Sequence, residues 1–196
     1  PDEGELHAGK ILSSIRTSAE RIRRARNPTE AFEVTVKRVR QLTGYDRVLI
    51  YKFLPDESGA VVAEDKDEGL PSYLNHRFPA SDIPRQARAL YRINPIRVIP
   101  DVNYVPAALA WEQEPERQLD MSQCLLRSVS PIHIRYLKNM GVGASMSLSL
   151  MTGDRLWGLI ALHNQTPRRV SCETLELCRQ IGELLSQYIH ATAEAD

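Results

Sequence analysis

Apolar positions along the chain follow two periods, and the switches between them divide it into elements. From Leu6 to Arg26 they recur every three to four residues, at Ile11, Ile15, Ala19 and Ile22 with arginines opposite, as in a helix with one buried stripe. Asn27-Pro28-Thr29-Glu30 then has the form of a helix start, with a cap, a proline at the first helical position and an acid three residues past the cap. Phe32, Val36 and Val39 share one face of this second helix, and Gly44 is placed to end it. The period drops to two at Val48–Leu54, where Leu49, Tyr51 and Phe53 alternate with Val48 and Ile50. Apolar residues on both faces predict a central strand covered on both sides. Pro55–Gly59 reads as a turn, Ala60–Glu64 as the returning strand, and Asp65–Gly69 as a charged, exposed run.

Past a stretch without clear period, Ala87, Leu90 and Tyr91 place a helix that Asn94-Pro95 stops, and Ile96–Ile99 is a short strand carrying Arg97. Pro100–Ser128 holds three prolines (100, 106 and 115) and the acids of Glu112–Glu116, which break any long element. A connection of that length in a compact domain is either functional or disordered. Ser130 is placed to cap a helix opened by Pro131, with Ile132, His133, Tyr136, Leu137 and Met140 on its inner side and Gly141 and Gly143 at its end. Ala144–Leu150 alternates strictly, with Ser145, Ser147 and Ser149 opposite Ala144, Met146, Leu148 and Leu150. Gly153-Asp154 turns the chain into Leu156–His163, with His163 in phase with Trp157, Leu159 and Ala161. Ser171–His190 is the last helix, apolar at Leu177, Ile181, Leu184 and Tyr188, with Cys172 and Cys178 as small hydrophobes. The order predicts an α+β fold: a central antiparallel sheet, a helix layer on one face, and a layer of loops and a helix that binds a ligand on the other.

The 196 residues suit one domain. The expected division is an N-terminal helix at residues 1–26, serving a linker or a dimer, and a domain at residues 27–196. The narrow stripe of that first helix suits a partner helix or simple packing on the sheet. Basic and acidic residues balance at 25 each, so no long-range field favours nucleic acid or an anionic membrane. No apolar run is long enough to span a bilayer, and the start has no secretory signal pattern. The three cysteines form no metal-ligand spacing and argue against a disulfide framework, which fits a reduced cytoplasm.

The serine row needs a reason, because buried hydroxyls cost free energy unless they are hydrogen-bonded. Lining a cavity, Ser145 and Ser147 would be donors beside His163 and His133, with Arg97 and Arg127 suited to gripping carboxylates. Tyr51, Tyr73, Phe78, Tyr91 and Tyr136 are the candidate aromatic walls, and a large, flat, mostly apolar dicarboxylate would satisfy the set. In His76–Pro84 the two prolines hold Phe78 and Ile83 extended, with Asp82 between them. Plainer readings stand beside each: Asp82 or Ser81 as a helix cap, His163 as a core or edge histidine, Arg97 as a surface arginine. Asp82, Ser130 and His133 could be drawn as a catalytic triad, but no nucleophile elbow or glycine-built oxyanion site accompanies them.

Three stretches carry a family resemblance: P-A-S-D-I-P at Pro79–Pro84, R-S-V-S-P-I-H-I-R-Y-L-K-N-M-G-V at Arg127–Val142, and L-W-G-L-I-A-L-H-N-Q-T-P-R at Leu156–Arg168. With them the chain, from about Tyr45 onward, resembles the chromophore-binding GAF domain of phytochromes, especially the bacterial, biliverdin-binding ones. The resemblance implies a GAF fold and a red/far-red photoreceptor module, not an enzyme. Its ligand would be a linear tetrapyrrole, biliverdin, with light-driven Z/E isomerisation beside the terminal ring. By that resemblance the Asp82 backbone carbonyl and His133 meet the pyrrole nitrogens with a water among them. Arg127 and Tyr91 hold one propionate, and Ser145, Ser147, Arg97 and His133 attend the propionates. Tyr51, Tyr73, Phe78 and Tyr136 surround the rotating ring, His163 bonds its carbonyl, and Ile83 and Ser130 complete the set.

One departure matters. In plant and many cyanobacterial phytochromes a cysteine forms a thioether at the position of Ile132, and bacterial ones use a cysteine in an upstream domain. No attachment cysteine is identified in this chain, so non-covalent binding is expected. Residues at about 100–129 resemble a lasso through which an upstream segment is threaded; the chain reads as an excised module lacking flanking domains and an output domain such as a histidine kinase. A GAF domain sensing another small ligand, such as a cyclic nucleotide, is the competing expectation, although two arginines and a serine row fit a dicarboxylate better than a purine and one phosphate.

Overall fold

The computed structural model describes residues 3–109, 119–125 and 127–193; the acids at 112–116, Pro115 and the Ile11 side chain lie outside them. Among the described residues six strands form one antiparallel sheet in the order β3-β2-β1-β6-β5-β4. They are β1 (Arg47–Phe53), β2 (Gly59–Lys66), β3 (Arg77–Phe78), β4 (Ile96–Ile99), β5 (Ala144–Thr152) and β6 (Arg155–Asn164). Five helices among the described residues accompany them: α1 (Glu3–Arg23), α2 (Pro28–Thr43), α3 (Arg85–Ile93), α4 (Pro131–Asn139) and α5 (Cys172–Ala193). The fold is α+β, as the periodicity predicts. No helix among the described residues is long and apolar enough to cross a membrane.

β1 and β6 are central and apolar on both faces. One face, with Val48, Ile50, Met146, Leu148, Ile160 and Leu162, joins Phe32, Val36, Val39, Cys178, Ile181 and Leu185 of α2 and α5 in the main core. The other face carries Leu49, Tyr51, Phe53, Val61 and Leu159 under a layer built from residues 73–91. The helix signals read from sequence work as drawn: Asn27 accepts the Glu30 N–H at 2.9 Å, and Gly44 ends α2 at φ 63°. Glu30 itself reaches back to Arg26 rather than to the cap.

Several local expectations are corrected. α1 does not lie on the sheet: it packs on α2 and α5, burying Ser18 and Ile22 while Leu12 stays exposed. Asp65 and Lys66 belong to β2 rather than to an exposed run, and Asp65 accepts from Arg40 at 3.4 Å. The edge strand β3 and the 3-10 turn Ala80–Asp82 carry no periodic signal because they are only two and three residues long. Ser130 and Pro84 precede their helices without a side-chain cap, and neither Ser81 nor Asp82 serves as one. Ile132 points outward, 77% exposed, because it lies across α4 from the buried Leu137. Cys172 is exposed, and only Cys178 behaves as a core hydrophobe.

Trp157 shows why strict alternation fails at one place. The β5–β6 register slips between Leu150 and Met151, so Leu150 faces Gly158 while Met151 faces Leu156. This bulge turns Trp157 out of phase with Leu159, Ala161 and His163 and onto Phe32 of the helix layer, ring centroids 5.5 Å apart.

Candidate functional site

The second face of the sheet does not close on itself. Between it and α3, α4 and the 78–83 loop lies a narrow cavity enclosing about 780 Å³ of empty space, including its mouth. Its floor is Leu49 and Tyr51 of β1, Arg97 and Ile99 of β4, Ser145 and Ser147 of β5, and Leu159, Ala161 and His163 of β6. Tyr73, Phe78, Asp82, Ile83, Tyr91, His133 and Tyr136 form its walls and roof. An adjoining groove of about 1240 Å³ shares Asp82, Ile83, Tyr91, Arg97, His133 and Tyr136 and adds Arg127, Ser130 and Ile132. Twelve of the predicted residues thus line the cavity, and Arg127, Ser130 and Ile132 line only the groove.

Tyr51 is seated by what its neighbours omit. A Cβ on Gly59 would come within 1.8 Å of the Tyr51 ring, so the side chain lies where only glycine leaves room. Tyr51 then meets Phe53 edge-on at 5.4 Å and Phe78 at 6.0 Å, while Tyr73 meets Phe78 edge-on at 6.1 Å. These rings line one end of the cavity. Burial, and behind it the charge of Asp82, pushes the Tyr51 hydroxyl up to about 12.

The loop bearing Asp82 is held by Arg88, one turn into α3. Its guanidinium donates to the Ile83 carbonyl at 2.8 Å, to Glu57 at 2.5 Å and to Ala80 at 3.5 Å, and lies 4.8 Å over the Phe53 ring. The carbonyls on either side of Asp82 are therefore fixed, and its carboxyl turns toward α4, where the Tyr136 hydroxyl donates to Oδ2 at 3.3 Å. His133, one turn earlier on α4, stacks on Tyr136 at 6.2 Å. Burial and the nearby Arg97 charge hold His133 below the ordinary imidazole range.

At the other end stand Tyr91, Arg97 and the serines. Ser149 donates to the Tyr91 carbonyl at 2.7 Å, and the Tyr91 hydroxyl faces Ser147. Both ends of that tyrosine are thus tied to β5. Arg97 is buried, not a surface arginine, and its fork donates to the carbonyls of Leu125 at 2.9 Å and Arg127 at 2.7 Å. Arg127 in turn donates to the Cys124 carbonyl at 3.0 Å. In this arrangement Arg97 ties down Leu125 and Arg127 rather than presenting a free clamp. Burial, and then the like charge of Arg127, lowers the Arg97 pKa, and among the described residues neither guanidinium forms an ion pair. Two cations placed together in a partly apolar groove fit an anionic ligand.

His163 carries the clearest mark of a missing contact. Its Nδ1 is buried with no hydrogen-bond partner among the described residues, although the ring lines the cavity. Burial, the adjacent Arg47 charge and His133 push the imidazole down to about 4, so it is neutral at pH 7 with one nitrogen able to donate and one to accept. No cysteine lines the cavity or the groove: Cys124 is exposed, Cys172 is exposed, and Cys178 is in the helix-side core with its thiol pushed up to about 12 by burial. No group of three or more His, Cys, Asp or Glu able to hold a metal occurs among the described residues. Sequence reasoning missed Leu49, Val61, Ile99, Leu159 and Ala161 of the apolar floor, although they share strand faces with Tyr51 and His163. Arg88 was also missed; its role depends on three carbonyls separated in sequence.

The chain belongs to the GAF domain family, whose profile matches residues 27–189. Its relatives are phytochromes. It is 45% identical over 170 residues to cyanobacterial phytochrome B of Nostoc sp., covering 86% of this chain and 23% of that protein. It is 44% identical over 191 residues to a bacteriophytochrome of Pseudomonas aeruginosa, covering 93% of this chain and 25% of that protein. Among solved structures, the chromophore-binding domain of a Stigmatella aurantiaca bacteriophytochrome superposes with a TM-score of 0.90 at 45% identity, covering 93% of this chain and 60% of that one. The corresponding domain of a bacteriophytochrome from R. palustris gives 0.91 at 44% identity, covering 96% and 62%. The chain spans about a quarter of the length of these curated relatives.

Proposed function

We propose that this chain is the photosensory module of a phytochrome and that it binds a linear tetrapyrrole, biliverdin, in the cavity between the sheet and α4. The orphaned His163 Nδ1 carries this reading: a neutral imidazole with a buried, unpartnered nitrogen lines an otherwise largely apolar, aromatic-walled cavity. The surroundings fit a long amphipathic ligand, with rings of Tyr51, Tyr73, Phe78 and Tyr136 at one end and the cations Arg97 and Arg127 toward the groove. When bound, the tetrapyrrole supplies red absorption and light-driven Z/E isomerisation beside its terminal ring. The protein supplies placement: His163 hydrogen-bonds the terminal ring, and the Asp82 carbonyl and His133 serve the pyrrole nitrogens. Ser145, Ser147 and Tyr91 with the two arginines serve the carboxylates.

Binding by this chain is non-covalent, because Ile132 stands at the thioether position and no cysteine lines the site. Asp82 is engaged by Tyr136, which supports a sensing role rather than a catalytic triad. The relatives' greater length supports placement within a larger protein with flanking and output domains. Within it residues 1–26 act as a linker or dimer helix ahead of the domain at residues 27–196. The three free cysteines suit the cytoplasm. Titrating the protein with biliverdin, and separately with cyclic nucleotides, tests the reading. Saturable uptake with a red-shifted, sharpened absorption band is expected for biliverdin alone; uptake of a cyclic nucleotide with no change in the tetrapyrrole spectrum overturns it.

A further inference from the structure

Arg47 and Glu64 lie beside the cavity without lining it. Arg47 opens β1 directly across from His163 of β6, and Glu64 stands near the end of β2. Arg47 Nε is 2.9 Å from Glu64 Oε1, a charge contact without an aligned N–H bond, and the two side chains are only 5% and 3% exposed. Two charges taken out of water are expensive to keep unless their other donors and acceptors are used. Here they are used on one short segment. Glu64 accepts the Tyr73 N–H at 3.1 Å to each oxygen and the Ser72 hydroxyl at 2.6 Å. Arg47 donates to the Pro71 carbonyl and lies 3.9 Å over the Tyr73 ring. Residues 71–73 have no regular secondary structure, so these two side chains stand in for a ladder in tying them to the sheet.

We propose that the buried Arg47–Glu64 pair positions Tyr73 as a wall of the cavity and so sets the yield of isomerisation. The role assigned to Tyr73 rests on the tetrapyrrole reading; the anchoring of Tyr73 does not. A residue that acts only through Tyr73 has two separable consequences, one in the ligand-free protein and one in the loaded one.

Two variants divide positioning from stability. Glu64→Gln leaves Arg47 buried without its counter-charge and is expected to lower the thermal midpoint. The double change Arg47→Met with Glu64→Leu removes both charges and replaces them with apolar volume, which restores most of that midpoint. It still removes the Arg47 and Glu64 ties to residues 71–73, leaving the His76 N–H to the Tyr73 carbonyl and the Phe78 ring against Tyr73 in place. Amide hydrogen exchange on the ligand-free double variant is expected to be at least tenfold faster at Tyr73, with β1 and β6 amides unchanged. Unchanged protection at Tyr73 in that variant overturns the anchoring. Loaded with biliverdin, the double variant is expected to give less than half the parental photoproduct yield, and adding Tyr73→Ala to lower it little further. Parental yield despite fast exchange at Tyr73 overturns the functional half. A parent protein that takes up no biliverdin fails the tetrapyrrole reading, while the exchange result still decides the anchoring.

Discussion

Tyr136 on α4 donates its hydroxyl to Asp82 at 3.3 Å, joining two parts of the chain that the sheet leaves otherwise separate above the cavity. Burial, and then the charge of Asp82 and the bond to it, pushes the Tyr136 pKa upward, so the hydroxyl remains a donor across the physiological range. The backbone of the Asp82 loop is held independently by Arg88 and the flanking prolines. Carboxyl and carbonyl of Asp82 can thus be separated experimentally.

Asp82→Ala and Asp82→His are expected to take up biliverdin nearly as the parent does, because the loop carbonyl keeps its place. Photoconversion falls and fluorescence rises, since the carboxyl beside Tyr136 no longer steadies the rearranged ligand. Tyr136→Phe is expected to move in the same direction by less, the loss of one hydrogen bond being worth about 0.5–1.5 kcal/mol. Absorption and emission spectra of the loaded variants check this. Loss of uptake in both Asp82 variants would show that the side chain shapes the loop itself.

Arg127→Ala is expected to weaken biliverdin binding by roughly 1.5–3 kcal/mol, the scale of a hydrogen bond to a charged group, and to cost little against the biliverdin dimethyl ester. Arg97→Ala behaves differently, because its fork also holds the Leu125 and Arg127 carbonyls. It is expected to weaken acid and ester alike, in addition to any clamp effect. Equal losses for acid and ester in Arg127→Ala would make that arginine structural too. Binding titrations with both ligands give the comparison.

Much of this was legible from periodicity alone. The serine row on β5 announced a polar floor, and the apolar pattern of β1 announced a sheet covered on both faces. What stayed hidden has physical causes. Bulges shift phase by one residue, which turned Trp157 over. Ile132 looked inward because α4 is apolar on more of its surface than it buries. The roles of Arg47, Glu64 and Arg88 stayed hidden, because a charge set against backbone carbonyls and amides of distant loops has no local signature. Arg97 was recognised as important, but its present partners are carbonyls that no spacing rule connects to it.

The His163 pKa predicts a pH dependence of stability in the ligand-free protein. Folded, the imidazole is held down to about 4; unfolded, it titrates near the ordinary value of about 6.5. The unfolded chain therefore binds more protons between those values. This contribution is complete above about pH 6.5, falls away as the pH drops toward 4, and changes no further below it. Its size is about 3 kcal/mol at most, and His133, also held low, acts in the same direction. Urea midpoints across that range check it, and His163→Gln is expected to flatten the slope. An unchanged slope in that variant would mean the ring titrates freely in the folded protein.

Attachment gives a chemical prediction. Biliverdin is expected to leave the unmodified protein on denaturation in acid, because none of the three cysteines lines the site. Ile132→Cys, placed in the groove beside His133, is expected to retain a vinyl- or ethylidene-bearing tetrapyrrole under the same treatment. Denaturing electrophoresis with detection of the pigment reads both. Pigment that stays with the parent chain would point to Cys124.

The most direct measurement is the light-minus-dark difference spectrum of the protein reconstituted with biliverdin, taken after alternate red and far-red illumination. The account predicts a red-absorbing bound form whose difference spectrum reverses between the two colours and is diminished in His163→Ala, which removes the ring whose Nδ1 has no partner among the described residues. A bound pigment that does not respond to light, or a response untouched by loss of His163, would contradict it.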